Sequence, residues 1–320
     1  MYIRRKRGWE IPESHVTPES VYLNRRQVLA AGGALIGGAA IGFGPAGAVD
    51  DPSAGLYPAP RNERYEAGRP ITPEKANLSY NNFYEFRLGS AGDSSAEAAK
   101  LQIRPWEIRI DGLVEKEVTV GIDDLLAKMK LEERVYRHRC VETWAMVVPW
   151  TGFPMADFVA FAKPLGSAKY VRMETFMSPD VARGQRAFQY PWPYVEGLTM
   201  AEATNELTLL VTGAYGKPVA NQMGAPIRLH TPWKYGFKSV KSIVRFTFTE
   251  ERPVGFWQAV QGYEYGFWAN VNPDVPHPRW SQRAERLLGS NEMALTQLFN
   301  GYGAFVADLY KGLENEPLYM

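Results

Sequence analysis

From residue 106 onward, several short segments carry apolar positions at a clear period. Trp106, Ile108 and Ile110 alternate with Glu107, Arg109 and Asp111, the pattern of a half-buried strand. Asp111-Gly112 then supplies a turn into Leu113-Val114. Ile122, Leu125, Leu126 and Met129 fall at i, i+3, i+4 and i+7, which predicts a short amphipathic helix. Met155, Phe158, Val159 and Ala162 repeat that spacing, with Pro154 suited to the first helical turn and Pro164 as the stop. Residues 207–211 and 244–248 read as strands, the second alternating at Val244, Phe246 and Phe248. Ser281 can cap a helix that reaches Leu288, with Gly289 past its end. The C-terminal stretch looks helical around Leu298, Val306 and Leu309. These elements follow no βαβ rhythm, and no repeat of ~20–50 residues recurs. The expectation is an α+β fold with a mixed sheet and short helices, and no linker after Pro70 divides it.

The N-terminal pattern is of another kind. Arg4, Arg5, Lys6, Arg7 and the Arg25-Arg26 pair precede an apolar run over 28–44 that ends at Ala46-Gly47-Ala48. A basic region, a short weak apolar region and a small-residue site mark a secretory signal peptide, and adjacent arginines mark the twin-arginine type. A membrane anchor is the alternative, but the run falls short of the ~20 residues a span needs and is rich in glycine. The expected organisation is a twin-arginine signal peptide at 1–48, an extended Pro- and Gly-rich leader at 49–70 and one domain at 71–320. The implied route is export of the folded chain to the periplasm by the twin-arginine translocase. Gly42-Phe43-Gly44-Pro45-Ala46-Gly47 matches a dinucleotide-binding spacing, but no strand precedes it and no helix follows, so that reading fails.

Composition narrows the picture. A chain of 320 residues allows one large domain or two, and 45% apolar with 22% charged residues excludes wholesale disorder. Lys plus Arg is 36 against 35 Asp plus Glu, so the chain lacks the footprint of a nucleic-acid binder. The single cysteine excludes an intramolecular disulfide framework and a multi-thiolate zinc cage. Four scattered histidines, His15, His138, His230 and His277, argue against a histidine-rich metal site. Nine Trp and seventeen Tyr favour a sheet-rich fold with aromatic pockets.

The cysteine, Cys140, sits in Tyr136-Arg137-His138-Arg139-Cys140-Val141-Glu142-Thr143-Trp144. Three readings stand. It is a small buried hydrophobe, or a thiolate favoured by Arg137, Arg139 and His138 and suited to a soft metal, or a nucleophile with His138 as base. Glu142 is either a proton-handling carboxylate or the partner of Arg137 or Arg139 in a salt bridge. On their own, Asn81-Asn82 read as a turn, Lys234, Lys238 and Lys241 as a solvated face, and Arg228 as an exposed charge.

Taken in order, the motifs carry a resemblance. Arg25-Arg26, Asn81-Asn82-Phe83-Tyr84-Glu85-Phe86 and Arg139-Cys140-Val141-Glu142-Thr143-Trp144 are followed by Gly224-Ala225-Pro226-Ile227-Arg228-Leu229. Pro232-Trp233-Lys234-Tyr235-Gly236-Phe237-Lys238-Ser239-Val240-Lys241, Tyr265-Gly266-Phe267-Trp268-Ala269-Asn270-Val271-Asn272-Pro273 and His277-Pro278-Arg279-Trp280-Ser281-Gln282 complete the series. The chain resembles the catalytic subunits of the bacterial periplasmic methionine sulfoxide reductases, a family of the sulfite oxidase fold type. The resemblance implies a molybdopterin-binding α+β domain with one molybdenum on a single pterin and Cys140 as the protein's thiolate ligand. It implies cofactor contacts from Asn81, Tyr84, Glu85, Thr175, Arg228, Ser239, Val240 and Lys241, with Arg228 and Lys241 as phosphate partners. Cys140 and Glu142 are the implied catalytic residues. One departure is Met223, where the family has an asparagine; a thioether cannot donate that hydrogen bond, so a backbone group, Asn221 or Gln222 would substitute. Trp144, Trp233 and Trp268 are candidates for a pocket wall.

The implied reaction is reduction of methionine sulfoxide in oxidised envelope proteins, by oxygen-atom transfer to reduced molybdenum. Electrons would come from a membrane haem b, quinone-linked partner of the MsrQ type. With only a short tail after the last motif, the catalytic subunit is expected to be a monomer. The alternatives are a sulfite-oxidase-like or other S- or N-oxide molybdoenzyme, and a non-catalytic exported binding protein with an inert Cys140.

Overall fold

The computed structural model describes residues 52–320. The expectations for the signal peptide at 1–48, and the first residues of the leader, lie outside the described residues.

Two mixed sheets form the framework. The first contains β1 (Glu107–Gly112), β2 (Val118–Gly121), β5 (Tyr170–Thr175), β6 (Val195–Thr199) and β10 (Ile243–Thr249), ordered β2-β1-β10-β5-β6. β1 and β10 run parallel and the other neighbours antiparallel. The expected alternation holds on the inner face: Ile108, Ile110, Phe246 and Phe248 are buried with Val171 and Met173. The helices Ile122–Leu126 and Met155–Ala162 bury Leu125, Leu126, Phe158 and Val159 in the same core. Pro154 is the residue before the second helix, and Lys163 ends it in the left-handed region just ahead of Pro164.

The second sheet is built on a hairpin of β3 (Glu132–Arg139) and β4 (Trp144–Pro154). Around it lie β7 (Leu209–Ala214), β8 (Lys217–Pro218), β9 (Arg228–His230), β11 (Ala284–Leu287) and β12 (Met293–Leu295). β4 is buried along nearly its whole length because β3 flanks one edge while β11 and β7 share the other. At Gly152, where the β4–β7 register shifts, a methyl group would collide with the Leu210 carbonyl. The leader is not a free arm: Tyr57 donates to the Thr212 carbonyl at 2.9 Å, and the Asn62 N–H donates to the Glu133 carbonyl at 2.8 Å.

One sequence expectation is corrected. Residues 281–288 form no helix. The Ser281 hydroxyl accepts from the Arg283 N–H at 3.2 Å in a local turn, and β11 follows, paired to β4 and β12. In the strand Glu285 is completely buried against Arg69 and Arg139. The C-terminal stretch is helical around Leu298, Val306 and Leu309, as expected, but in three short helices, Leu298–Gly301, Gly303–Val306 and Ala307–Tyr310, the first broken where Phe299 and Asn300 take positive φ.

Candidate functional site

β3 and β4 are joined by residues 140–143, and this loop carries the cysteine. Thr143 sits at φ 68°, which closes the reversal with the Thr143 N–H on the Cys140 carbonyl at 3.0 Å. The loop curls round the sulfur, so the Glu142 N–H donates to Cys140 Sγ at 3.5 Å. Its carbonyls are held from the strap at 280–285. Trp280 Nε1 and Gln282 Nε2 donate to the Val141 carbonyl at 2.8 and 3.0 Å, and Arg139 Nη1 donates to the Cys140 carbonyl. Arg139 is itself fully buried, with Nε on Glu285 Oε2 at 2.8 Å and Nη2 on Gln282 Oε1 at 2.8 Å.

These bonds alter the charge expected at the sulfur. Arg139 is committed to Glu285, and Arg137 donates to the Ala67 carbonyl at 2.6 Å and to Gln297. Burial and the Glu142 carboxylate push the Cys140 thiol up to about 12, against the Glu142 N–H, Arg139 and Asn82. Burial, with Arg228 and Lys241, pulls His138 down to about 3, so it is a neutral imidazole. The sulfur's hydrogen bonds run to Asn82 and Glu142, and none joins it to His138 among the described residues. Of the adjacent basic residues Arg139 does lower the thiol, but burial and Glu142 outweigh it, and a Cys140–His138 dyad is not formed among the described residues.

Cys140 opens into a cavity of about 660 Å³. Glu142, Asn81, Tyr84, Glu85, Arg228, Ser239, Val240 and Lys241 all line it. Thr175 does not: it is buried behind the wall, its hydroxyl donating to the Lys241 carbonyl at 2.8 Å. Asn81 is fixed by Nδ2 on the Leu78 carbonyl at 2.9 Å. Gly184 lies against the Tyr84 and Glu85 carbonyls so closely that a methyl group there would overlap both. Tyr84 meets Trp257 edge-on at 4.8 Å, and burial, then Glu142, raises its hydroxyl to about 12. Burial raises the Glu85 carboxyl, with the Lys241 ammonium opposing.

The cationic wall suits an anion. Arg228 is buried, with Nη1 on the Met223 carbonyl at 2.8 Å, while Nη2 is buried without a partner. Burial lowers it to about 10. Lys241 donates to the Asn82 carbonyl at 2.9 Å, and burial, then Arg228, lowers it to about 8. The Trp150 indole N–H, its ring 5.1 Å from the Arg228 guanidinium, is also buried without a partner. Buried donors left open are costly unless a ligand satisfies them. Two cations, unfilled donors and one thiol in a single cavity fit a phosphate-bearing group that carries a soft metal.

Other expectations are redistributed. Asn221 Nδ2 turns away to the Ala98 and Leu101 carbonyls, both at 3.0 Å, and neither Asn221 nor Gln222 lines the cavity. Met223 does line it, and its carbonyl anchors Arg228. Trp144 walls the cavity as expected. Trp233 and Trp268 instead sit in the core, donating to Tyr310 at 2.7 Å and Glu316 at 2.9 Å, and Trp150, Trp257 and Trp280 take the wall positions. Lys234 and Lys238 form no solvated face but lie buried on Glu202 at 2.5 Å and Glu196 at 2.7 Å. Arg228, read alone as an exposed charge, is likewise buried.

Glu142 pairs with neither arginine. Its Oε2 accepts from Asn82 Nδ2 at 2.9 Å and from Trp144 Nε1 at 3.2 Å. Asn82 is thus a site residue that the sequence reading left unassigned. It stood beside Asn81 in the same motif, and nothing in the pattern separated a backbone-fixing asparagine from one reaching the sulfur.

Residues 95–257 match the family described as oxidoreductase molybdopterin binding domain. The chain is 44% identical over 315 residues to the protein-methionine-sulfoxide reductase catalytic subunit MsrP of Burkholderia mallei (strain ATCC 23344). That match covers 96% of this chain and 95% of the relative. Among solved structures, the sulfane dehydrogenase SoxCD of Paracoccus pantotrophus aligns with a TM-score of 0.42 and 17% identity. The alignment covers 68% of this chain and 57% of that one.

Proposed function

The chain belongs to the MsrP family of molybdopterin-binding oxidoreductases, and from that premise we propose that it reduces methionine sulfoxide in proteins to methionine. The observation that carries the reading is one cavity holding the sole thiol together with buried Arg228, whose Nη2 lacks a partner. Cys140 would hold the metal. Arg228 and Lys241 would take the phosphate, and Asn81, Tyr84, Glu85, Ser239 and Val240 would contact the pterin. Thr175 acts at one remove, through the Lys241 carbonyl. When bound, molybdenum supplies two-electron oxygen-atom chemistry.

The chain's own residues provide the rest. Methionine sulfoxide, two electrons and two protons yield methionine and water. Glu142, with Oε2 4.0 Å from Cys140 Sγ, stands where a carboxyl group can hand a proton to the departing oxygen. Asn82 and Trp144 fix that carboxylate. Tyr84, Trp257 and Trp280 offer flat apolar walls to a thioether, a contact sulfur favours. The arginine pair and small-residue site at the N-terminus support a periplasmic location by the twin-arginine route. We further infer oxidised envelope proteins as substrates, a membrane haem b donor of the MsrQ type, and a monomeric catalytic subunit.

The test is turnover by purified metal-loaded protein with reduced viologen as donor. Consumption of viologen on adding methionine sulfoxide, with no oxidation of sulfite by an acceptor dye, is the expected result. Sulfite oxidation without sulfoxide reduction would replace the reading with a sulfite-oxidase-like one.

A further inference from the structure

We propose that Asn82 is a positioning residue of this site, its carboxamide bridging the metal-ligand thiolate of Cys140 and the carboxylate of Glu142. The inference rests on the reading of Cys140 as the molybdenum ligand. Asn82 Nδ2 lies 2.9 Å from Glu142 Oε2 and 3.6 Å from Cys140 Sγ. Those two acceptors are 4.0 Å apart. A ligand thiolate has no proton to donate to the carboxyl oxygen 4.0 Å away, so a donor from elsewhere must serve the sulfur. A primary amide carries two N–H groups on one nitrogen and can serve both acceptors at once.

Among the described residues no cation donates a hydrogen bond to either acceptor; on the same cavity Arg228 holds the Met223 carbonyl and Arg279 holds Glu264. Arg139 is taken by Glu285, Arg137 by Ala67 and Gln297, and Lys241 by the Asn82 carbonyl. That last bond also fixes the Asn82 backbone. Among the described residues the Asn82 side chain makes no other hydrogen bond, its Oδ1 being buried without a partner there. Its carboxamide therefore supports no element of the fold, and its bonds all serve the site. Together with the Glu142 N–H at 3.5 Å, it places two donors on the sulfur. Donors on a ligand sulfur draw charge from it, raise the reduction potential of the metal and move the thiolate-to-metal absorption to higher energy.

The experiment compares metal-loaded wild type with Asn82→Leu, which removes both donors, and Asn82→Asp, which keeps the shape but puts an acceptor in their place. Molybdenum content, the thiolate-to-metal absorption band and the midpoint potential are read for each. The expected result is retained molybdenum, a band at lower energy and a lower potential, both shifts larger for Asn82→Asp. Turnover should fall roughly 10–100-fold, as for other partners of metal ligands. Combined with Glu142→Gln, the Asn82→Leu shift should shrink, because the Glu142 end of the bridge that holds the carboxamide is already altered. Wild-type band and potential in both metal-loaded variants would overturn the proposal. So would loss of molybdenum from Asn82→Asp, which would assign Asn82 to retaining the cofactor. A wild-type protein without molybdenum would overturn the reading of Cys140 beneath it.

Discussion

Glu285→Ala tests whether a buried charge pair braces the cysteine loop. Arg139 and Glu285 are both completely buried, and Glu285 also receives Arg69. Removing the carboxylate leaves the Arg139 guanidinium without its counter-charge in a site closed to solvent. Breaking a buried pair from one side costs about 3–5 kcal/mol. At ~2–4 °C per kcal/mol for a domain of this size, Tm should fall by roughly 6–20 °C. Arg139→Met with Glu285→Leu removes the completely buried pair and should cost clearly less, since the one charge left without its partner, Arg69, is partly exposed. Arg139 also holds the Cys140 carbonyl and Gln282, so the single variant should bind less molybdenum than the wild type. Scanning calorimetry gives the first quantity and metal analysis the second. A Tm change of under about 2 °C for Glu285→Ala, or an equal loss in the double variant, would refute the argument.

Arg228→Met should leave the fold intact but lower pterin content in parallel with molybdenum, measured as fluorescent pterin released on denaturation; unchanged pterin would remove Arg228 from the phosphate site. Gly184→Ala should displace the Tyr84-Glu85 backbone and reduce cofactor loading, with Gly166→Ala, which meets open space, as the neutral control. Asp111 is a stability probe. Burial raises its carboxyl, but Arg245, Thr247 and Arg109 outweigh this and hold it below the ordinary value. Its folded pKa is depressed, so its contribution is complete above the unfolded value of about 3.9 and fades as pH falls through the folded one. The stability gap between wild type and Asp111→Asn, from denaturant unfolding, should hold steady from pH 7 to 5 and close below about pH 4; a constant gap down to pH 2 would contradict it.

The sequence was most legible where burial followed a simple period. β1, β10 and the helices Ile122–Leu126 and Met155–Ala162 lie within a few residues of their patterns. β3 escaped because its buried positions include charged residues: Glu133 and Arg139, satisfied by Arg61 and Glu285 far along the chain, and Arg134, paired with Glu132 beside it. β4 escaped because burial on both faces erases alternation. The false helix at 281–288 came from local capping signals, while the segment pairs with β4 and β12, contacts distant in the chain or absent from the local pattern. The site followed the same rule. Ordered motifs brought Cys140, Glu142, Arg228 and Lys241 to one cavity. Which tryptophans wall it, and which asparagine reaches the sulfur, depend on register across strands and loops that no local pattern encodes. Met223 is the reverse case: a visible departure whose neighbours, Asn221 and Gln222, turn away from the cavity.

The most direct test of the account is molybdenum analysis of the purified, processed protein from a cofactor-competent host, beside its Cys140→Ala variant. The account predicts molybdenum near stoichiometry in the wild type, and loss of the metal or of its thiolate-to-metal absorption in the variant. A folded wild-type protein that carries no molybdenum would contradict it, and would leave Cys140 as an inert buried thiol in a ligand-binding protein.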